Sequence, residues 1–508
     1  MAAKVARALE KVLATEFGTS LLPSLVPSPG IAAAVSARAP ALRLLAVGVL
    51  ERVLNAPTGG VGPAGTAAGL LVGLLADPDA EVGAKAEAAL VKAARAGCCL
   101  VGSEAAPSPP PAAGLHASLA SPDAVVRARG LAVVVALMSS PDPVTASAAK
   151  GAGLLAPLAG ELGRGPTDPL ACAAALAAVS AAAVVEDRGV SPAVRRRACE
   201  ALLGDLAAPL VALIDAGPST ISTPVWSQAL ATGAGLCAGV AGATGDDGSP
   251  LPSSLSPAVE RTLAAILSAL DAHLSEASVE DDPGREAGSI EAAGCLGSTA
   301  GGAAMLTVRA PSALAGLATR ALGARGGAGG RSDRVAALHA LAAVAGAERI
   351  RRGDASGAVM GGEAERALAG ALHAGAADGR PPGTLPGAAF AALVAQPLDD
   401  VRVAGLRALL PLVAARGWAA ADAAACPDLM ARLTAASAWA ATGAAEWRHA
   451  CVVGMEGTAR GDHEGLAPNQ AAALAGALPA LGAAIRAGVH GFSGGAPVGH
   501  EVATRAGN

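Results

Sequence analysis

Tyrosine is absent from this chain, and its three phenylalanines and four tryptophans make aromatics 1% of it. A core with so few rings lacks the large buried surface each ring contributes, so it must close by bringing small aliphatic groups together. Much of the 52% hydrophobic share is accordingly alanine, leucine and valine. Strands favour β-branched and aromatic residues, which are scarce here outside a few valine clusters. Alanine is the best helix former, and the composition therefore predicts an all-α protein.

Other absences narrow the function. No Gly-Lys-Ser or Gly-Lys-Thr occurs, which removes the common phosphate loop with its lysine and hydroxyl. No C-x-x-C or H-E-x-x-H pattern occurs, so the strongest zinc signatures are missing too. Charge is balanced, with 37 basic and 42 acidic residues and a formal net charge of −5. The densest basic run is only Arg195-Arg196-Arg197, too short to track a phosphate backbone, and nucleic acid is not expected as a partner. The first residues, MAAKVARALEKVLATEFG, carry charges where a signal peptide needs an apolar core. With eight scattered cysteines, the chain reads as reduced and intracellular. The longest uncharged stretch, Ala216 to Gly245, contains prolines, Gln228 and several Ser, Thr and Gly. It is too weakly apolar for a membrane span, and no membrane is expected.

What is present is a repeat. LADPDAEVGAKAEAAL at 75–90 and LASPDAVVRARGLAVV at 119–134 superimpose, with Pro-Asp pairs 44 residues apart at Pro78 and Pro122. The next step of 44 falls on Leu170 in TDPLACAAALAAV. Looser copies start at Ser191, Asp281, Ser332 and Gln396. Periods of about 40–47 residues belong to HEAT and armadillo arrays. In each copy a proline with aspartate or serine stops one helix and the small polar residue caps the next. Apolar positions then recur at helical spacing, as in Val401, Gly405, Leu406, Leu409, Leu410 and Val413. The expected architecture is a curved HEAT/armadillo-like helical-repeat solenoid over residues 1–490. Flexible Gly/Pro-rich insertions are expected near 104–114, 242–257, 323–333 and 375–387, with a mobile tail over 491–508.

Several local strings invite chemistry. GVGPAG at 60–65 fits a dinucleotide fingerprint, but helical periodicity precedes it where a strand is required. GCLGSTAGG at 294–302 reads as a turn between helices, with glycine supplying a left-handed helix end and Cys295 on or near the buried face. Cys98-Cys99 reads as buried thiols at a helix turn. His449, Cys451, Asp462, His463 and Glu464 form the best metal cluster, yet His-x-Cys on a helix points its two side chains to different faces. No catalytic residue, cofactor or metal is assigned. The working part is then expected to be a surface, marked by charges near the start of the second helix of each repeat: Lys85, Arg127, Arg129, Arg195, Arg334, Arg402 and Arg407. These are the candidate partner-binding residues, with solvated surface charge as the plain alternative.

Four segments carry a family resemblance: LAVGVLERVLNA (45–56), the Asp-Pro-Asp repeat at 77–90, SIEAAGCLGSTAGGAAML (289–306) and QPLDDVRVAGLRALLPLVAARGW (396–418). In this order, across nearly the full length, they resemble the family of 26S proteasome non-ATPase regulatory subunit 5. That resemblance implies a helical-repeat chaperone for assembly of the regulatory-particle base. It implies, as partners, proteasomal ATPase subunits through their C-terminal domain and a large non-ATPase scaffold subunit. It also implies absence from the mature proteasome, no catalytic motif, and residence in the cytoplasm with the nucleus as a second compartment. The alanine richness, lack of tyrosine and long glycine–proline insertions depart from the family pattern. A general armadillo-type adaptor in transport or signalling is the alternative.

Overall fold

A computed structural model describes residues 2–13, 15, 21, 24–26, 28–56, 61–98, 111–183, 191–242, 255–275, 283–324, 330–351, 359–381, 385–435, 443–461 and 465–489. All regular structure among them is α-helix. The chain divides into two compact units. The first comprises Met1–Ala243 with Pro252–Ala269, and the second Thr244–Leu251 with Leu270–Asn508.

The first unit contains α1 (Ala2–Leu13), α2 (Pro29–Val35), α3 (Pro40–Leu54), α4 (Val61–Leu74), α5 (Ala80–Arg95), α6 (Pro111–Leu119), α7 (Ala124–Met138), α8 (Pro143–Gly151), α9 (Leu155–Gly163), α10 (Pro169–Ala183), α11 (Pro192–Thr220) and α12 (Thr223–Ala241). Helices α3, α5, α7, α10 and α12 pack side by side as successive rungs. Behind them α4 packs on α6 and α9 on α11, so the unit is two layers of paired helices. Aspartates set the rungs in register. Asp79 accepts from the N–H groups of Glu81 and Val82 at 3.0 and 3.2 Å, Asp123 from Val125 at 2.8 Å, and Asp168 from Ala171 at 3.1 Å. Each such cap contributes about 1 kcal/mol, and together they are the physical content of the sequence repeat.

Helix α13 (Pro257–Leu274) gives its last residues to the second unit. There follow α14 (Pro283–Gly297), α15 (Ala300–Arg309), α16 (Pro311–Leu322), α17 (Arg331–Ala345), α18 (Ala347–Arg351), α19 (Gly362–Ala377), α20 (Pro386–Val394), α21 (Asp399–Ala415), α22 (Gly417–Ala424), α23 (Pro427–Thr434), α24 (Ala445–Arg460) and α25 (Pro468–Ala487). Its rungs are α14, α17, α21 and α24, backed by α16 on α19 and α20 on α23. Helix α25 is the one described helix long and apolar enough by composition to cross a membrane. It packs on α24 and buries Leu474, Ala477, Leu481 and Ala484.

Helices run into segments that the sequence reads as flexible. Pro111 opens α6 and is buried, α19 extends to Ala377, and Pro386 opens α20. Residues 104–110, 243–254, 325–329, 382–384 and the tail 491–508 lie outside the described residues. The glycines of GCLGSTAGG require a correction. Among the described residues the left-handed glycines are Gly97, Gly153, Gly217, Gly330, Gly346, Gly379, Gly465 and Gly488, and none belongs to that string. Close approach is what its glycines permit. A Cβ on Gly302 would lie 2.0 Å from the Leu296 carbonyl oxygen, and one on Gly297 would lie 2.4 Å from Val344. Thr299 caps α15 by accepting from Gly302 N–H at 3.2 Å.

One interaction recurs across both units. Buried or half-buried arginines donate to the free carbonyls at helix C-terminal ends, groups that have no partner within their own helix and lie at its negative pole. Arg129 donates to Leu75, just past the end of α4, at 2.9 Å, and also to Ala80 at the start of α5 at 3.2 Å. Arg349 donates to Gly297 and Val344, each at 3.0 Å, and Arg380 to Leu322 at 2.8 Å. Arg416 reaches Ala345 at 2.8 Å and Arg448 reaches Leu433 and Gly488 at 2.9 and 3.0 Å. Glycine makes room for the first of these: a Cβ on Gly83 would fall 2.0 Å from Nη1 of Arg129.

That seat generates a double-mutant prediction. Gly83→Ala gains helix propensity of up to about 1 kcal/mol, yet it should destabilise by displacing the guanidinium. Arg129→Ala should cost about 1–3 kcal/mol through its orphaned carbonyls. In the Arg129→Ala background, Gly83→Ala should become neutral or stabilising by urea denaturation. Strictly additive costs would show that glycine and guanidinium are not coupled.

Candidate functional site

The structure uses most of the seven charges marked in the sequence internally. Arg129 is 8% exposed and held by the carbonyls named above. Arg127 donates to Ser121 and Pro122 carbonyls, each at 3.0 Å, and pairs with Glu161 at 3.0 Å. Arg334 donates to the Gly323 carbonyl, and burial pulls its pKa down. Arg402 pairs with Asp399 one turn earlier. Arg407 lies 3.6 Å from Glu348, with its guanidinium carbon 5.2 Å from the Trp447 ring centre. Lys85 is exposed on α5. Lys85, Arg127, Arg129 and Arg195 belong to the first unit, and Arg334, Arg402 and Arg407 to the second.

Arg195 is different. Its side chain has no hydrogen bond or ion pair, while those of its neighbours are engaged: Arg196 pairs with Glu200 at 3.0 Å, and Arg197 donates to the Ser140 and Pro141 carbonyls. Half-buried at the start of α11, its guanidinium is desolvated and its pKa pulled down. It lines a cavity of about 240 Å³ in the first unit, together with Glu87 and Val91 of α5, Ala136 of α7 and Ala178 and Ala181 of α10. Burial raises the Glu87 carboxyl above its ordinary value, and nearby Arg129 opposes the rise.

The strings that invite chemistry take helical packing roles. Residues 61–65 of GVGPAG are inside α4, and a helix cannot form the strand-to-helix phosphate turn. Among the described residues no group of three or more His, Cys, Asp or Glu could hold a metal ion. Asp462, His463 and Glu464 lie outside the described residues. Cys451 is buried against the Leu406 carbonyl at 3.4 Å, and His449 is half-buried with its pKa lowered, first by burial and then by Arg448. Cys98 donates to the Leu54 carbonyl at 3.0 Å, whereas Cys99 is outside the described residues. GFSGG at 491–495 spells the G-x-S-x-G of a nucleophile elbow; it too lies outside them.

Paired helices, ordered rungs and two layers in each unit decide the fold. It is that of an armadillo/HEAT-like helical repeat. No protein-family model matches the chain. No curated protein matches it. Among solved structures it is similar to a designed armadillo repeat protein in complex with the peptide (KR)4, at 18% identity and TM-score 0.35, over 58% of this chain and 97% of that one. It is also similar to Kap121p bound to Nup53p, at 14% identity and TM-score 0.41, over 89% of this chain and 43% of that one. An engineered protein gives 15% identity and TM-score 0.34, over 82% of this chain and 98% of that one. These likenesses are loose, and the helix pairing described above carries the fold assignment.

Two outcomes follow from the geometry. Arg127→Glu would set a carboxylate against Glu161, whose side chain is 7% exposed; losing such a pair costs about 3–5 kcal/mol. The variant should therefore lose stability in urea, and wild-type stability would show that the pair is dispensable. Burial pushes the Cys295 thiol up to about 11. The thiolate is the reactive form, so alkylation of Cys295 should rise about tenfold per pH unit from 7 to 10. A plateau below pH 9 would contradict a packing role.

Proposed function

We propose that this chain is a protein-binding helical scaffold, and that it serves as an assembly chaperone for the base of the proteasome regulatory particle. The observation that carries the finer reading is the ordered resemblance of segments 45–56, 77–90, 289–306 and 396–418. On this reading it binds the C-terminal domain of a proteasomal ATPase subunit, works alongside a large non-ATPase scaffold subunit, and leaves before the proteasome matures. Its place is the cytoplasm, with the nucleus as a second compartment. Stacked repeats suit such a task because successive rungs present one extended surface without a deep pocket.

Five of the seven marked charges, Arg127, Arg129, Arg334, Arg402 and Arg407, make contacts within the chain, which favours a second reading. A general armadillo-type adaptor would need no feature specific to proteasomal ATPases, and the absence of a matching family model is consistent with it.

Affinity capture from native lysate, read by mass spectrometry and followed by titration with a purified ATPase C-terminal domain, separates the two. The chaperone reading expects base ATPase subunits and the large non-ATPase subunit, without subunits of the proteolytic core. Capture of mature proteasome, or of no base subunit at all, would overturn it.

A further inference from the structure

We propose that the cavity between α5, α7, α10 and the start of α11 is a docking site for an acidic side chain borne on a small-residue segment of a partner polypeptide. This rests on the protein-binding reading above and gives that surface a location and a ligand chemistry. It does not depend on the partner being proteasomal.

The first support is the state of Arg195. Of three consecutive arginines, two have side-chain partners, and the side chain of this one has neither hydrogen bond nor ion pair. Its stem runs alongside α12, with Cγ 3.7 Å from where a Cβ on Gly239 would lie. A guanidinium that has lost water and gained no counter-charge is an electrostatic deficit, which an incoming carboxylate removes through paired N–H donors. The second support is the wall. Ala136, Ala178 and Ala181 have only methyl side chains, so a partner backbone can approach closely and water is displaced as it does.

Charge selects the sign of the ligand. Arg195 lines the cavity, and among the described lining residues Glu87 is the one acid. Glu87 makes no ion pair with Arg195, and its charge is partly offset by Arg129. A basic side chain would meet the Arg195 guanidinium with like charge, whereas an acidic one can pair with it. The complementarity therefore favours a carboxylate.

The test uses the full chain and two fluorescent peptides blocked at both ends, one of repeating Glu-Ala-Ala-Leu and one of repeating Gln-Ala-Ala-Leu, with anisotropy read at low and moderate salt. The glutamate peptide should bind at least tenfold more tightly than the glutamine peptide. Arg195→Gln should weaken it at least tenfold, and Arg196→Gln should leave it unchanged. Ala181→Met, which fills the cavity from an exposed position, should block binding without altering charge, with the fold confirmed by circular dichroism. Failure of the glutamate peptide to bind, equal binding of both peptides, or wild-type affinity in Arg195→Gln and Ala181→Met, would overturn the proposal. Running the ATPase C-terminal domain in parallel keeps the two readings apart. Peptide binding that needs Arg195, without ATPase capture, retains the cavity and removes the proteasomal partner. ATPase capture undiminished by Arg195→Gln, with no peptide binding, does the reverse.

Discussion

Guanidinium groups placed at the carbonyl ends of helices are the constraint on which the packing depends. Stacked short helices create many C-terminal ends, and each leaves up to four carbonyls without an intrahelical partner. In this protein those ends abut the next rung, where water has little access. Arginine answers that need because its planar fork can serve two carbonyls and stays charged when buried. Arg416 shows the full form: it donates to Ala345 and Pro411 carbonyls at 2.8 and 3.0 Å and clamps Glu365 with two bonds of 2.8 and 2.9 Å. Arg43 does the same with Asp77, at 2.7 and 2.9 Å, and with the Ala37 carbonyl.

This arrangement explains how a core with few rings holds together. Alanine and glycine give little transfer energy per residue, but they let backbones approach, as at Gly302 against Leu296 and at Gly375 against Ala318. Close approach brings helix ends within an arginine's reach. The same guanidinium that satisfies a carbonyl spans from one rung to another, so the polar bonds cross-link layers that dispersion alone holds weakly. Trp226 and Phe390 are fully buried rings, the former with its indole N–H donating to the Ile214 carbonyl at 3.1 Å.

Much of the fold is legible in the sequence because its signals are local. Asp79, Asp123 and Asp168 act within three residues of themselves, so a 44-residue Pro-Asp spacing translates directly into rung starts. The destination of an arginine is not local. Arg127 and Arg129 read alike as charges near a helix start, yet one pairs with Glu161 and the other crosses to α4 and α5, because the two lie on different faces of α7. Within Arg195-Arg196-Arg197 the sequence shows a basic run, and only the packing shows which member is left without a partner. The glycines of GCLGSTAGG mislead for a similar reason: a turn-like composition is equally what two touching helices need. The cavity beside Arg195 has no motif at all, since its alanines come from three separate helices and Glu87 and Val91 from a fourth.

Hydrogen exchange of Arg416→Lys tests the cross-linking role most directly. Lysine keeps the positive charge but lacks the fork that joins Ala345, Pro411 and Glu365. The account predicts lost amide protection at the end of α17 and the start of α19, with the α24 and α25 amides as protected as in the wild type. Unchanged protection at both contacted ends would contradict it, because the arginine would then be a buried charge that the packing tolerates rather than one that holds the helices together.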